Sequence, residues 1–282
     1  MIDRITKQPF CQTRVSGSTF VNADCFDVFP FIEEKSIDAI ICDLPYGTTQ
    51  NKWDSIIPLD KLWEQYKRII KPNGAIVLFA QTPFDKVLGA SNLNMLKYEW
   101  IWIKNRGTGH LNAKKMPMKY HENILIFYNK PPTYNPIFID YSESTKKIHQ
   151  SSKVKTFDAK WANNNSNYGS FNKLERVYDF ERGKYPMSYI NFNVLSQTDK
   201  TRMHPTQKPV ELMEYIIKTY TNEGELVLDN TAGSGTTAIA CLNTNRQFIV
   251  MEKEQKYYDI ILKRVGDFNK NFEPQTLFGK EM

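Results

Sequence analysis

Two stretches of this chain combine residue types and spacing that can do chemistry. In 36–47, SIDAIICDLPYG, an apolar run of buried-strand length stops at Asp43 and is followed by Leu44, Pro45, Tyr46 and Gly47. A strand ending this way puts a carboxylate, a rigid turn and an aromatic ring at the carboxyl edge of a sheet, where open α/β folds bind ligands. In 226–237, LVLDNTAGSGTT, a second apolar run ends at Asp229 and passes into a glycine turn. Gly233 and Gly235 let backbone pass close to a bound molecule, and Glu252 closes the next strand, where an acid in a Rossmann-like fold can hold a ribose. The turn lacks the lysine of a phosphate-binding Walker loop and the last glycine of a dinucleotide fingerprint, so a nucleoside without phosphates fits better than ATP or NAD. A tight structural turn accounts for AGSG about as well, and an acid such as Glu252 taken alone is more often an exposed strand-end acid. Two such turns in one sheet call for two ligands.

The elements that must position these turns follow from periodicity. Residues 19–22 suit a short strand, and 25–34 a helix interrupted by Pro30. Leu59, Leu62, Trp63, Tyr66, Ile69 and Ile70 share one helical face, with Pro72, Asn73 and Gly74 as terminators. Strands are expected at 75–80, 98–103 and 122–128, and a helix at 84–93. The basic segment 104–121, KNRGTGHLNAKKMPMKYH, has no apolar period and reads as a loop. A helix beginning near Pro209 carries Leu212, Met213, Ile216, Ile217 and Tyr220 inward. Strand 225–229, helix 234–242, strand 247–251 and helix 256–265 complete a βαβα series, and the tail from Asn269 reads as peripheral.

The chain has 282 residues, enough for one α/β core with an insertion. No apolar run reaches the ~20 residues of a membrane span, and 1–10 lacks the apolar segment of a secretion signal, so a soluble, cytoplasmic protein is expected. Cys11, Cys25, Cys42 and Cys241 have neither close pairing nor metal-ligand spacing, which favours reduced thiols and no metal. Net charge is +6, and 129–202 holds twelve Lys and Arg against seven Asp and Glu, an excess of five. The same stretch has twelve aromatics, among them Trp161, Tyr168, Tyr178 and Tyr185, and the polar run 163–167. Basic residues interleaved with rings suit nucleic acid. A solvated insertion with its own small core suits the composition nearly as well.

With both anchors in hand, the sequence resembles the amino-methyltransferases of DNA, in the beta arrangement where the catalytic motif precedes the cofactor motif. DLPYG corresponds to that family's D-P-P-Y, LVLDNTAGSGTT to its glycine motif, HPTQKPVELM to the preceding helix and VNADCFDVF to its short acidic segment. The resemblance implies an α/β, Rossmann-like, doubly wound mixed sheet of seven strands with an inserted target-recognition region. It divides the chain into a catalytic half at 1–128, the insertion at 129–202 and a cofactor-binding half at 203–282. It implies S-adenosylmethionine as methyl donor and double-stranded DNA as substrate, with a homodimer and a cognate restriction enzyme as further partners. Carried over by residue, Asp229, Gly233, Ser234 and Gly235 take the methionine end, with Thr236 beside them and Lys208 near the carboxylate. Glu252 takes the ribose, Asp24 the adenine, and Asp43 faces both ligands. Leu44 and Asn230 depart from the family pattern.

The chemistry agrees with that assignment. An exocyclic base amine is a poor nucleophile because its lone pair is delocalised into the ring, so acceptors must orient its NH2 group toward the methyl. Asp43 and the Leu44 carbonyl are such acceptors, Pro45 stiffens the turn, and Tyr46 offers a ring on which an extruded base can stack. Cys42 should face away by strand alternation, and His121 and His204 read as loop or capping histidines. Aspartate at 43 favours adenine N6 over cytosine N4, where the family tends to carry serine. Other readings are an inactive DNA-binding relative, an RNA substrate and, least favoured, a dehydrogenase.

Overall fold

A computed structural model describes residues 11–15, 17–47, 54–149, 154–157, 174–177, 180–196, 203, 207–268 and 275–276. Trp161, the run 163–167, Tyr168, Tyr178 and His204 lie outside the described residues. The chain divides into two compact units, Met1–Asn135 with Ser188–Met282, and Pro136–Met187.

The larger unit is built on one mixed sheet. Its strands are β1 (Cys11–Val15), β2 (Ser18–Asn22), β3 (Ile37–Asp43), β4 (Ile70–Ala80), β5 (Leu96–Thr108) and β6 (Lys119–Phe127). In the smaller unit β7 (Val154–Phe157) and β8 (Leu174–Val177) pair with each other, and β9 (Tyr189–Asn191), β10 (Leu226–Asp229), β11 (Gln247–Glu252) and β12 (Gln275–Thr276) return to the main sheet. The order is β12-β1-β2-β11-β10-β3-β4-β6-β5-β9, ten strands where seven were expected. The three additions lie at the two ends of the sheet, short and weakly patterned: β12 pairs with β1, β1 with β2, and β9 with β5. The tail from Asn269 therefore contributes a strand.

From β2 to β4 the neighbours run parallel, whereas β6 lies antiparallel between β4 and β5. The helices are α1 (Cys25–Val28), α2 (Leu59–Ile69), α3 (Phe84–Ala90), α4 (Glu143–His149, in the smaller unit), α5 (Val210–Tyr220), α6 (Thr236–Asn243) and α7 (Gln255–Phe268). One face of the sheet packs Leu212, Ile216 and Tyr220 of α5, Ala238 and Cys241 of α6, and Ile261 of α7. The other packs Val28, then Leu62, Trp63 and Tyr66 of α2, then Leu88 of α3. This is a doubly wound α/β layer structure. Because β3 leads to β4 on one side and β10 to β11 on the other, the order reverses between β3 and β10, the kind of switch point at which such sheets bind ligands.

Local chemistry moved several boundaries. Helix α2 stops at Ile69 and the chain enters β4 at once; Pro72, Asn73 and Gly74 lie in an irregularity where Ile37 faces Ile70 but Ala39 faces Ala75. Lys71 closes that bulge on Asp38 at 2.5 Å. The interruption at Pro30 turns α1 into a 3-10 turn over Phe29–Phe31, and α3 ends at Ala90 rather than 93. The segment 104–121 is not a loop throughout: β5 runs to Thr108 and β6 begins at Lys119, leaving a short turn that contains the 3-10 helix His110–Asn112. His121 is a strand residue. Pairing across the hairpin, not apolar period, extends these strands.

In the smaller unit Arg182 lies over Phe138 at 4.2 Å and Tyr185 at 5.5 Å, and Tyr141 meets Phe180 edge-on. Among the described residues no helix is long and apolar enough to cross a membrane.

Candidate active site

Strands β3 and β10 end side by side, and each hands a carboxylate to the same crevice. Asp43 closes β3, and the Thr231 hydroxyl after β10 donates to the Asp43 carbonyl at 3.1 Å, tying the two turns together. A cavity of about 910 Å³ opens there, lined by Asp43 and Tyr46, by Asp229 and Gly233, and by Asp24 and Glu252. That lies at the upper end of the range of small-molecule sites, and both strand-end turns contribute to its wall.

The first turn is held from several directions. Leu44 is buried in the core on the face that packs α2, which its apolar side chain suits. The Gly47 N–H donates to the buried Asp54 at 2.9 Å, and Gly47 has φ 65°, where a Cβ would meet Ile56 at 2.8 Å. The Tyr46 ring stacks on Phe84, with centroids 5.4 Å apart and planes 23° off parallel. Its hydroxyl donates to Asp43 Oδ1 at 2.7 Å. Lys208 donates to Asp43 Oδ2 at 2.5 Å, so both oxygens carry a donor. Burial lifts the Asp43 carboxyl above the ordinary range against the pull of Lys208. Burial lowers Lys208, and the Asp43 and Glu122 charges outweigh it, leaving the ammonium raised.

The second turn is self-contained. Asp229 is 3% exposed and accepts from the Thr231 N–H at 3.0 Å and the Thr237 hydroxyl at 2.5 Å. Burial lifts its carboxyl to about 6. Gly235, at φ 78°, is the N-cap of α6, which begins at Thr236 rather than 234 because the left-handed glycine ends the turn. A Cβ on Gly235 would meet Ile261 at 2.9 Å, whereas one on Gly233 meets nothing within 4 Å. One glycine is required by packing; the other keeps space open on the cavity side. Ser234 is buried, its carbonyl accepting from Arg264 at 2.5 Å and its hydroxyl lying 3.3 Å from Gln207.

Glu252, at the end of β11, accepts from the Gly233 N–H and the Glu254 N–H, both at 2.9 Å. Burial lifts this carboxyl to about 7. Asp24 caps α1 through the Phe26 N–H at 2.9 Å and also faces the cavity. Cys42, one residue before Asp43, lies in the core of the opposite face with its thiol 3.1 Å from Asn230 Oδ1, which the buried Tyr66 hydroxyl also reaches at 2.5 Å.

Residues 104 and 122 join this site although no motif includes them. Glu122 lies near the start of β6, and because β6 is antiparallel to β4 its early residues reach the edge where the parallel strands end. Lys104 on β5 pairs with Glu122 Oε1, and Lys208 lies 3.3 Å from Glu122 Oε2. The strand-end rule applied to carboxyl termini alone passes over such an acid. Arg264 and Asp54 were missed for a different reason: each acts through backbone that is distant or irregular.

A family model described as DNA methylase, of the N6/N4 type, matches residues 37–263. The chain belongs to this DNA methylase family. Over 254 residues it is 29% identical to the Type II methyltransferase M.HpaI of Haemophilus parainfluenzae, covering 84% of this chain and 71% of that one. It is 28% identical to the DNA adenine methyltransferase YhdJ of Escherichia coli (strain K12), over 88% of this chain and 83% of that one. Among solved structures, the fold matches the M1.HpyAVI–SAM complex with TM-score 0.56 at 24% identity, covering 87% of this chain and 98% of that one. It also matches the cytosine-N4-specific PvuII DNA methyltransferase with TM-score 0.61 at 14% identity, covering 92% and 89%.

Proposed function

We propose that the chain transfers a methyl group from S-adenosylmethionine to the exocyclic N6 amine of an adenine extruded from double-stranded DNA at a specific sequence. The observation that carries this reading is the pair of strand-end turns opening on one cavity, an acceptor carboxylate beside an aromatic ring on one side and a glycine turn with a ribose-height acid on the other. S-adenosylmethionine fits the second side: the direction of a Gly233 Cβ is open space, and Glu252 and Asp24 present carboxylates. When bound, it supplies an electrophilic methyl. Glu252 would accept from the ribose hydroxyls, Asp24 from the adenine amine, and the backbone from Asp229 to Gly235 would carry the methionine end.

The chain's own part in the reaction is orientation. Asp43 and the Leu44 carbonyl accept from the NH2 group of the target base and turn its lone pair toward the methyl. Tyr46, backed by Phe84, is the surface on which the extruded base stacks, offsetting the few kcal/mol that extrusion costs. We read the insertion at 129–202, with the compact unit it contains, as the target-recognition region, and the flanking stretches as the catalytic and cofactor halves. The YhdJ name and the family description support DNA as substrate, and aspartate at 43 supports adenine.

The test is expression in a host without DNA methylation, followed by mass spectrometry of the genomic nucleosides. N6-methyladenine that vanishes with Asp43→Ala is the expected result. N4-methylcytosine would replace adenine by cytosine in the proposal, and neither base with an intact fold would leave an inactive DNA-binding relative.

A further inference from the structure

Each oxygen of Asp43 already carries one donor, and a base amine approaching Oδ2 competes there with the charged ammonium of Lys208 at 2.5 Å. Lys208 is the movable one: Tyr46 is fixed by its stack on Phe84, while the lysine ends a flexible stem between two carboxylates. The ammonium cannot simply be abandoned, because its side chain is only 8% exposed and an unpaired buried charge is strongly disfavoured. A second acceptor is already in place. Glu122 Oε2 lies 3.3 Å from Lys208 Nζ and is a buried oxygen with no hydrogen-bond partner. Its other oxygen is taken by Lys104, which lies 5.0 Å from the centre of the Trp102 ring. Two cations and two anions thus form one chain, Lys104, Glu122, Lys208, Asp43, with all four lining the cavity.

Resting on the methyl-transfer reading above, we infer that Glu122 is a positioning residue that receives the Lys208 ammonium and so frees Asp43 Oδ2 for the amine of the target base. The two Lys208 distances, 2.5 Å to Asp43 and 3.3 Å to Glu122, mean that a shift of well under the length of one bond exchanges the partners. Lys104 keeps Glu122 from following. Burial raises the Glu122 carboxyl, but Lys208 and Lys104 more than offset it, so it stays charged and ready to take the ammonium. Apolar packing would serve stability at least as well as four buried charges; the chain makes sense as a device that moves a cation without leaving it unpaired.

The test compares the parent, Glu122→Gln, Lys208→Met and the double variant. Measurements are calorimetric affinity for S-adenosylmethionine, thermal unfolding, and incorporation of labelled methyl groups into genomic DNA from an unmethylated host. Glu122→Gln should bind S-adenosylmethionine within about threefold of the parent, and its maximal incorporation rate should fall about tenfold or more with little change in the DNA concentration for half-rate. On the Lys208→Met background the same change should cost less than about twofold, because the group it acts through is gone. Equal losses on both backgrounds, or an unchanged rate in Glu122→Gln, would overturn the inference. If Glu122→Gln does not fold, Lys104→Gln leaves the carboxylate in place but unanchored, and a rate loss that disappears with Lys208→Met is again the expected sign. A parent that incorporates no methyl groups sinks the methyl-transfer reading and this inference with it; an active parent with additive losses sinks this inference alone.

Discussion

Asp43 and Asp229 end neighbouring parallel strands in the same way, an apolar run, an acid and a turn, yet their carboxylates are held by different kinds of partner. Asp229 is gripped by its own loop, through the Thr231 N–H and the Thr237 hydroxyl, and is 3% exposed. The Asp43 side chain is 27% exposed and carries a lysine that lies 165 residues away in sequence. A carboxylate held by adjacent backbone sets the shape of a turn; one held by a distant side chain can be released. The same local pattern has thus produced a brace and a working group at neighbouring strand ends.

Breaking the working group should have the larger effect. Asp43→Asn is expected to lower methyl transfer on the order of 10³-fold, the scale of losing an aligned charged partner in an active site. Its S-adenosylmethionine affinity should stay near that of the parent. Calorimetry beside a methyl-incorporation assay checks both, and a parallel collapse of cofactor affinity would assign Asp43 to the cofactor instead.

Breaking the brace should show in stability. In Asp229→Ala the Thr237 hydroxyl and the Thr231 N–H lose their acceptor inside a buried turn, at a cost of about 1–3 kcal/mol. A lower urea midpoint with unchanged slope is the expected result, with cofactor affinity falling as the turn loosens. The two glycines sharpen the contrast within one turn. Gly235→Ala drives a Cβ into Ile261 from a left-handed backbone and should cost about 2–3 kcal/mol. Gly233→Ala bears only the backbone penalty of about 1–2 kcal/mol, because its Cβ enters open space. It should instead weaken S-adenosylmethionine, so the ratio of lost affinity to lost stability should be higher at 233 than at 235.

How much of this was legible depended on chain direction and on distance. Strand ends rich in signal, at Asp43, Asp229 and Glu252, could be read because apolar runs stop abruptly at an acid. Helices α2 and α5 were legible through their 3.6-residue faces. Glu122 was not, because an antiparallel strand presents its beginning at that edge, and a rule about strand ends does not look there. Nor was the Lys208 partnership, since nothing local ties residue 208 to residue 43 or 122. The hairpin over 104–121 was hidden because its strands are defined by pairing and not by an apolar period. The outlying strands β1, β9 and β12 are short enough that pairing alone makes them strands.

Glu252, the third strand-end acid, falls between the two cases, held by backbone N–H groups yet facing the cavity. Burial places its folded carboxyl at about 7, above the ~4.3 of an unfolded chain. Asp229 is raised in the same sense, to about 6 from ~3.9. Within those windows the folded protein binds more protons than the unfolded one, so stability is fullest below the unfolded values and is lost as pH rises through the folded ones. The cofactor-free protein should therefore melt at a lower temperature at pH 8 than at pH 5. Glu122 is shifted downward, and its effect is confined to more acid solution, where it acts in the opposite sense. Glu252→Gln removes the charge but keeps an acceptor for the Gly233 N–H. It should raise the melting temperature at pH 8 by about 2–4 °C, corresponding to ~1 kcal/mol after allowance for partial exposure. At pH 5 the gain should shrink to a small fraction, and S-adenosylmethionine affinity should fall at both values because the acid proposed to hold the ribose has gone. Thermal melts of parent and variant at the two pH values decide it; an equal gain at both would show that the carboxyl titrates as in an unfolded chain.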